Sequence, residues 1–303
     1  MRAVIYTQYG PPEVLQIQEV EKPVPKDHEI LVKIVATTVN SGDVRVRSLD
    51  VKGWLKIFMR LALGISKPRK SILGTTFSGD VESIGNKVTK FRIGDKVFGM
   101  TGFQFGTHAE YVVVNEKSHV LPIPENASFE EAAAIVFGGQ TAIYFLHKAK
   151  IEQRQKPKVM ILGATGSVGA AAIQIAKYFK ADITAICSSR GEELIKELGV
   201  DRILLYDKED IFECKENFDI IFDAVGKYNK NLCMGFLNKG GVFVSVKNGY
   251  AAERLQQLQL LKQLFEQGHL RAVIDKTYSI NAVVEAHRYV DTGRKKGNVV
   301  LRC

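Results

Sequence analysis

Cysteine is scarce in this chain, and no two cysteines stand as C-x-x-C. The four present, Cys187, Cys214, Cys233 and Cys303, are scattered, so neither a disulfide framework nor a zinc ribbon is expected and the thiols read as reduced. No stretch reaches the roughly 18 uninterrupted apolar residues of a membrane span. The opening "MRAVIYTQYG" lacks an apolar signal core with a small-residue cleavage site, so the expectation is a cytoplasmic protein. Internal repeats and low-complexity segments are absent too. Acidic residues are outnumbered 33 to 42, leaving a net charge of +9. Such an excess raises the question of nucleic acid. The basic residues cluster only in "KPRK" (67–70) and "GRKKGN" (293–298), with no nucleic-acid-binding motif between them. Solvated loops or a small phosphorylated ligand account for them, and no nucleic-acid partner is expected.

What is present is globular: 303 residues, 46% hydrophobic, enough for about two domains. The first 120 or so residues read as short strands broken by Gly, Pro, Asn and Asp: "RAVIYT", "EILVKIVATTVN", "FSGDVESIG", "DKVFGM", "HAEYVVVN". After "LPIPENAS" (121–128) the pattern changes. Helical stretches alternate with short apolar runs, "KVMILGA", "DITAICS", "RILLYD", "FDIIFDAVG" and "GVFVSV", as in a parallel doubly wound sheet. The tail, "NAVVEAHRYVDTGRKKGNVVLRC", reads as one helix and one strand that returns to the first domain. The expected division is 1–124 completed by 273–303, and 125–272.

"VMILGATGSVGAAAIQIAK" (159–177) is a strand, a turn of small residues and a helix. A helix N-terminus offers free N–H groups and the positive end of the macrodipole, which suits a pyrophosphate. The fingerprint is G-x-G-x-x-G. Here Ala164, preceded by Gly163, takes the first glycine's place, Thr165 follows, Gly166 permits close approach, and beyond Ser167 and Val168 Gly169 permits tight helix–strand packing. An NAD site usually has an acidic residue at the end of the second strand for the ribose 2′-OH. This strand ends in Ser188, Ser189 and Arg190, which suit a 2′-phosphate and favour NADPH. The alternative is that Arg190 simply opens the helix "GEELIKELG".

The order of "TTVNSGDVRVRS" (37–48), "ILGTTFSGDVESIG" (72–85), "RIGDKVFG" (92–99), "AAAIVFGGQTA" (132–142), "GATGSVG" and "FDAVG" (222–226) resembles the medium-chain dehydrogenase/reductase superfamily, in its zinc-independent quinone oxidoreductase and enoyl-reductase branch. The resemblance covers almost the whole chain. It implies an α/β fold: a Rossmann doubly wound parallel-sheet domain plus a GroES-like, mostly antiparallel β catalytic domain, with a nicotinamide cofactor in the cleft between them. It also implies where zinc ligands would stand, and at those positions this chain has Asn40, Thr75 with Thr76, and Phe137, none a strong zinc ligand. The segment 99–110 has no cysteine to build the structural zinc lobe. No metal is expected. Without a Lewis acid, hydride transfer requires an electron-poor acceptor, so a quinone or an α,β-unsaturated carbonyl is the expected substrate.

The resemblance places Asn40 at the cofactor cleft, where it serves the nicotinamide ribose or the substrate; read locally it is a turn asparagine. Asp43 orients the Asn40 loop or simply forms a turn. Arg45 stands where related reductases often carry a Tyr, and with no phenol there solvent is the expected proton source. Thr141, Val225, Gly226, Val246, and the tail residues Lys296, Gly297 and Asn298 match family positions beside the cofactor. Lys295 is expected to face solvent, His108 to be structural, and His287 to lie on a helix surface. Residues 51–68, with Trp54, Phe58, Leu61 and Ile65 at helical spacing and Lys52, Lys56 and Arg60 four apart, read either as a lid over the substrate or as a surface helix resting on a membrane. The short link after Tyr250 disfavours a dimer built on an extended sheet, and monomer and homodimer both stay open. Two other functions remain on the table: an alcohol or aldehyde oxidoreductase, and a non-catalytic NADPH-binding sensor or RNA-binding protein.

Overall fold

The computed structural model describes residues 1–49, 54–249, 251–252 and 254–303. In chain order the strands are β1 (Arg2–Ile5), β2 (Gln16–Glu19), β3 (Glu29–Val39), β4 (Thr76–Ile84), β5 (Lys96–Met100), β6 (Tyr111–Asn115), β7 (Val120–Pro122), β8 (Lys158–Leu162), β9 (Asp182–Cys187), β10 (Arg202–Leu205), β11 (Phe218–Asp223), β12 (Leu237–Ser245), β13 (Ile274–Ser279) and β14 (Asn298–Arg302). The helices are α1 (Ser41–Ser48), α2 (Trp54–Leu63), α3 (Phe129–Lys148), α4 (Ser167–Tyr178), α5 (Glu192–Glu197), α6 (Lys230–Met234), α7 (Leu255–Glu266) and α8 (Val283–Asp291).

Two compact units result, one of Met1–Val136 with Ile274–Cys303, the other of Phe137–Val273. The boundary thus falls inside α3 and not ahead of it at 124. The helical period is continuous across that point, but the first turn is tied to the first unit. Ser78 Oγ donates to the Phe129 carbonyl, and Arg302 pairs with Glu130 at 2.6 Å.

The first unit is built on a seven-stranded sheet in the order β13-β14-β3-β4-β5-β7, with β6 also pairing β3. Long β3 changes partner along its length: Glu29 to Lys33 pair with β6, and Ala36 to Val39 pair antiparallel with β14. Alternating residues of β3, β4 and β5 (Ile30, Val32, Phe77, Val81, Val97) bury a common face, as period-two strands do. A second core, Val39, Leu73, Val283, Ala286, Val290, Val299 and Leu301, seats α8 on β3 and β14. The tail adds a strand the sequence pattern does not reveal. β13, "IDKTYS", lies parallel to β14 at the sheet edge with no fully buried residue, so it carries no hydrophobic alternation.

In the second unit five strands run parallel in the order β10-β9-β8-β11-β12. β8, β9 and β11 are nearly continuous apolar runs, the mark of strands covered on both faces. The order reverses between β8 and β11, and at such a switch point the loops leaving the strand ends diverge and open a crevice for a ligand.

Candidate functional site

The turn after β8 sits at that switch point. Gly163 adopts φ +79°, and an added Cβ there would lie 2.3 Å from Val225 Cγ1, so only glycine lets the β8 and β11 loops meet. At Gly169 a Cβ would fall 2.3 Å from the Gly163 carbonyl oxygen, which is the close packing of α4 on its own turn. Gly166 differs. Its backbone is extended (φ −72°, ψ 170°) and an added Cβ would meet nothing nearer than 3.7 Å. Nothing in the fold requires glycine there, yet it stands at the N-cap of α4 and supplies no side chain to the helix end. A bare helix N-terminus with room for one more atom fits an incoming pyrophosphate. Ala164 is fully buried, and Ser167 is buried against Gly138 of α3. Thr165 and Val168 are half-buried, with Thr165 packed where a Cβ on Gly191 would fall, linking the glycine turn to the end of β9.

Neighbouring strand ends carry the other cofactor candidates of this unit. After β11, the buried Asp223 accepts from the backbone N–H groups of Val225 (3.2 Å), Gly226 (2.8 Å) and Tyr228 (3.3 Å), and from Ser245 Oγ (2.9 Å). One carboxylate therefore shapes both the Val225–Gly226 turn and the end of β12, where Ser245 in turn caps the short helix holding Val246. Asp223 was not a sequence candidate, although an Asp ending a strand two residues before Val225 is the usual signature of a side chain that folds a turn over itself. Thr141 donates its hydroxyl to the Phe137 carbonyl of its own helix, at 2.8 Å.

At the end of β9 one of the three expected phosphate ligands is already engaged. Ser189 is not free for a 2′-phosphate: its N–H and Oγ both donate to Asp207, at 2.8 and 2.7 Å, and hydrogen bonding from Ser189 lowers the Asp207 pKa. An acidic residue thus does stand near the second strand's end, supplied by the loop after β10. Arg190 is exposed, and no carboxylate pairs with it among the described residues. Ser188 is half-buried. Beside them an open cavity of about 570 Å³ is lined by Tyr206, Asp207, Lys208 and Tyr228 among others.

In the first unit Asn40 caps α1. Its Oδ1 accepts from Gly42 N–H (2.7 Å) and Asp43 N–H (3.1 Å), while the Asp43 carboxylate accepts in return from Asn40 N–H (2.9 Å), a closed capping box. The Asn40 Nδ2 donates to Thr75 Oγ1 at 3.1 Å. Two amide hydrogens sit on that nitrogen, and the second has no acceptor among the described residues. Asp43 is fully buried, its other oxygen accepts from Gly74 N–H, and desolvation raises its pKa. It holds the loop in place. Arg45 projects from α1 into solvent. Register then brings the tail in: Val299 pairs with Val39, which sets Asn298 and Asn40 at the same end of adjacent strands. The turn before it is held by Asp275, which accepts from Lys296 N–H (2.7 Å) and Tyr289 hydroxyl (2.6 Å), and Gly297 takes φ +70°.

Two expectations for nearby residues fail. Lys295 is half-buried rather than exposed; its Nζ donates to the Gly297 carbonyl at 2.6 Å, and burial pulls its pKa down to about 8. His287 is wholly buried, not on a helix surface. Buried Arg47 of α1 reaches it at 3.1 Å, pairs with Asp291 at 2.7 Å and donates to the Gly10 carbonyl, so α1 is pinned to α8. An arginine only donates, so His287 Nδ1 accepts and the ring is neutral; burial, the nearby His108 and Arg47 all hold its pKa well below the usual value. His108, also buried, bonds the Thr38 carbonyl.

At the positions that the resemblance assigns to zinc ligands, each side chain is either engaged elsewhere or lacks a donor atom. Thr76 Oγ1 is shared with Thr38 Oγ1 at 2.8 Å, Thr75 Oγ1 is used by Asn40, and Phe137 has no donor atom. Among the described residues no three His, Cys, Asp or Glu side chains gather in a way that would hold an ion.

Comparison with known proteins joins these features. Residues 26–125 match the alcohol dehydrogenase GroES-like domain and 167–285 the zinc-binding dehydrogenase family. Over 99% of its length the chain is 33% identical to a 2-methylene-furan-3-one reductase of Solanum lycopersicum, covering 79% of that protein. The chain belongs to the medium-chain dehydrogenase/reductase superfamily. Within this superfamily it is an oxidoreductase of the quinone oxidoreductase-like branch. A second relative, 27% identical over 99% of the chain and 79% of its own length, is an NADPH-dependent alkenal/one oxidoreductase of Arabidopsis thaliana. The solved quinone oxidoreductase of Coxiella burnetii superposes with a TM-score of 0.87 at 27% identity, covering the whole chain and 99% of its own.

Proposed function

We propose that the protein is a zinc-independent, NADPH-dependent reductase of quinones or α,β-unsaturated carbonyls. The observation that carries the reading is Gly166, a glycine required by nothing in the fold at the N-terminus of α4, in a chain whose metal positions hold Asn40, Thr75, Thr76 and Phe137. The names of the relatives, an alkenal/one oxidoreductase and a furanone reductase, support an electron-poor carbonyl acceptor.

The dinucleotide, once bound, supplies a hydride. The residues of this chain do the rest. The α4 N-terminus and the Gly163–Gly169 turn receive the pyrophosphate, and Val225, Gly226 and Val246 bound the crevice. Arg190 with Ser188 meets the 2′-phosphate. The uncommitted Asn40 N–H is offered to the oxygen on which negative charge grows, a donor worth roughly 2.7–4 kcal/mol when well aimed. Capping box and Thr75 hold that amide in one orientation before substrate arrives. Solvent supplies the proton, because Arg45 projects into solvent and offers neither a phenol nor a carboxylic acid. Asp207 favours a second reading of the cofactor, NADH, since a carboxylate beside Ser189 can accept from a ribose 2′-OH.

The test is NADPH and NADH consumption against quinones, enals, enones, aldehydes and alcohols, with product analysis and elemental zinc. Reduction of a quinone or enone that survives chelators is expected. Activity abolished by chelation, or oxidation of simple alcohols with every quinone and enone ignored, would overturn it.

A further inference from the structure

The reductase chemistry makes no use of the most basic stretch of the first unit. From 51 to 79 the chain has no Asp or Glu, and it carries six cations: Lys52, Lys56, Arg60, Lys67, Arg69 and Lys70. Lys52 and the side chains of Trp54, Lys56 and Phe58 lie outside the described residues. Those that are described form a patch with two properties. Ile57, Leu61 and Ile65, four residues apart along α2 and its exit, are 65%, 55% and 61% exposed. Ile57 and Leu61 lie on one helical stripe, and Ile65 follows just past the helix end, after Gly64 at φ +126°. Arg60, Lys67, Arg69 and Lys70 are exposed as well, and no carboxylate pairs with them among the described residues. The stripe is held to the body of its unit: Tyr9 hydroxyl donates to the Gly64 carbonyl at 2.9 Å, Arg69 N–H closes onto the Leu63 carbonyl at 2.7 Å, and Met59 and Leu63 are half-buried. Arg60 and Arg69 both lie close enough to Tyr9 to pull its pKa down against the desolvation that raises it.

We propose that α2 and residues 64–70 form a docking surface for an anionic lipid bilayer, with Ile57, Leu61 and Ile65 entering the headgroup–acyl boundary and the flanking Arg and Lys residues meeting lipid phosphates. Charge decides among occupants. A second copy of this chain would bring one unpaired cationic patch against another. The centre of a protein interface is depleted in lysine and relies on directional partners, whereas this stripe offers aliphatic side chains ringed by flexible cations, which is what an interfacial helix needs. The surface is independent of the reductase reading, and its test uses no turnover.

Full-length protein is sedimented with vesicles of neutral phosphatidylcholine, and with vesicles in which about a third of the lipid is phosphatidylglycerol. Binding is expected to the anionic vesicles only, and release in about 0.5 M NaCl, where the Debye length has shrunk to a few ångströms. The double variant Ile57→Glu/Leu61→Glu should keep the native melting midpoint and lose at least about tenfold in partitioning. The control Ile93→Glu, at an isoleucine 66% exposed outside the patch, should bind as the unaltered protein does. Absence of binding, or equal binding by the double variant, overturns the proposal. Binding to polyglutamate without binding to anionic vesicles would replace the lipid with an acidic protein. Light scattering that shows a dimer lost in the double variant would replace it with a second copy.

Discussion

Replacing Gly166 with alanine separates a glycine kept for the fold from one kept for a ligand. The backbone there is extended and open to alanine, and the new methyl carbon would have its nearest neighbour at 3.7 Å. On stability two small terms oppose each other. Alanine is a poorer N-cap than glycine by roughly 0.5–1 kcal/mol, and it restricts the unfolded chain by about 0.4–1 kcal/mol in favour of the fold. The net change should stay within about 0.5 kcal/mol. Binding is another matter, since the methyl occupies the space through which a pyrophosphate reaches the helix N–H groups. Losing one or two charge-assisted hydrogen bonds costs about 2 kcal/mol or more, near a 30-fold rise in Kd. Gly169→Ala is the contrasting variant, because its methyl would lie 2.3 Å from the Gly163 oxygen and must disturb the turn itself. Fluorescence titration with NADPH alongside urea unfolding reads both quantities. Unchanged affinity in a stable Gly166→Ala protein would remove the pyrophosphate from this helix end. A loss of unfolding free energy as large as that of Gly169→Ala would make Gly166 structural.

Cofactor choice should move in opposite directions at two residues. Arg190→Ala lowers the NADPH-to-NADH affinity ratio about tenfold, the low end for a charged hydrogen bond because the guanidinium is exposed. Asp207→Asn raises it about fivefold by removing roughly 1 kcal/mol of repulsion toward the 2′-phosphate; calorimetric Kd values for both cofactors that ignore both changes would refute the assignment. Asn40→Asp keeps an acceptor for the α1 cap but replaces the Nδ2 donor, so kcat should fall about a hundredfold with cofactor affinity nearly kept, and stopped-flow turnover with unchanged rate would dismiss Asn40 as a donor. Glu116 accepts from Thr89 N–H (2.8 Å), Lys90 N–H (3.0 Å) and His28, and these bonds lower its pKa to about 2. Its contribution is therefore complete above the ordinary value of 4.5 and fades as pH falls toward 2; Glu116→Gln should flatten the melting-midpoint profile over that interval, and an unaltered profile would contradict it.

The parallel sheet was legible because strands covered on both faces must be apolar throughout, and β8, β9 and β11 have no other way to exist. β13 was hidden for the converse reason, since an edge strand reading "IDKTYS" owes its place to the register of β14 and to no pattern of its own. The boundary inside α3 was invisible because one helix period runs through it. At the site, the Asn-Ser-Gly-Asp cap and the glycine turn announce themselves locally, each needing only neighbours in sequence. Ser189 did not, because its partner Asp207 arrives by way of β10. His287 looked like a surface residue since the residue that satisfies it, Arg47, lies on another helix far away in the chain.

The return of β14 to β3 bears on how the molecule comes into being during synthesis. Translation delivers the whole of Phe137–Val273, a continuous segment with its own sheet, before the strand that pairs with Ala36 to Val39 exists. The later-made unit can thus finish first, while β3 waits with an unpaired edge offering amides and carbonyls to any passing strand. Contacts so distant along the chain are slow to close. For this enzyme the ribosome-bound interval, rather than the finished state, is where an exposed strand edge invites aggregation and a chaperone has something to cover.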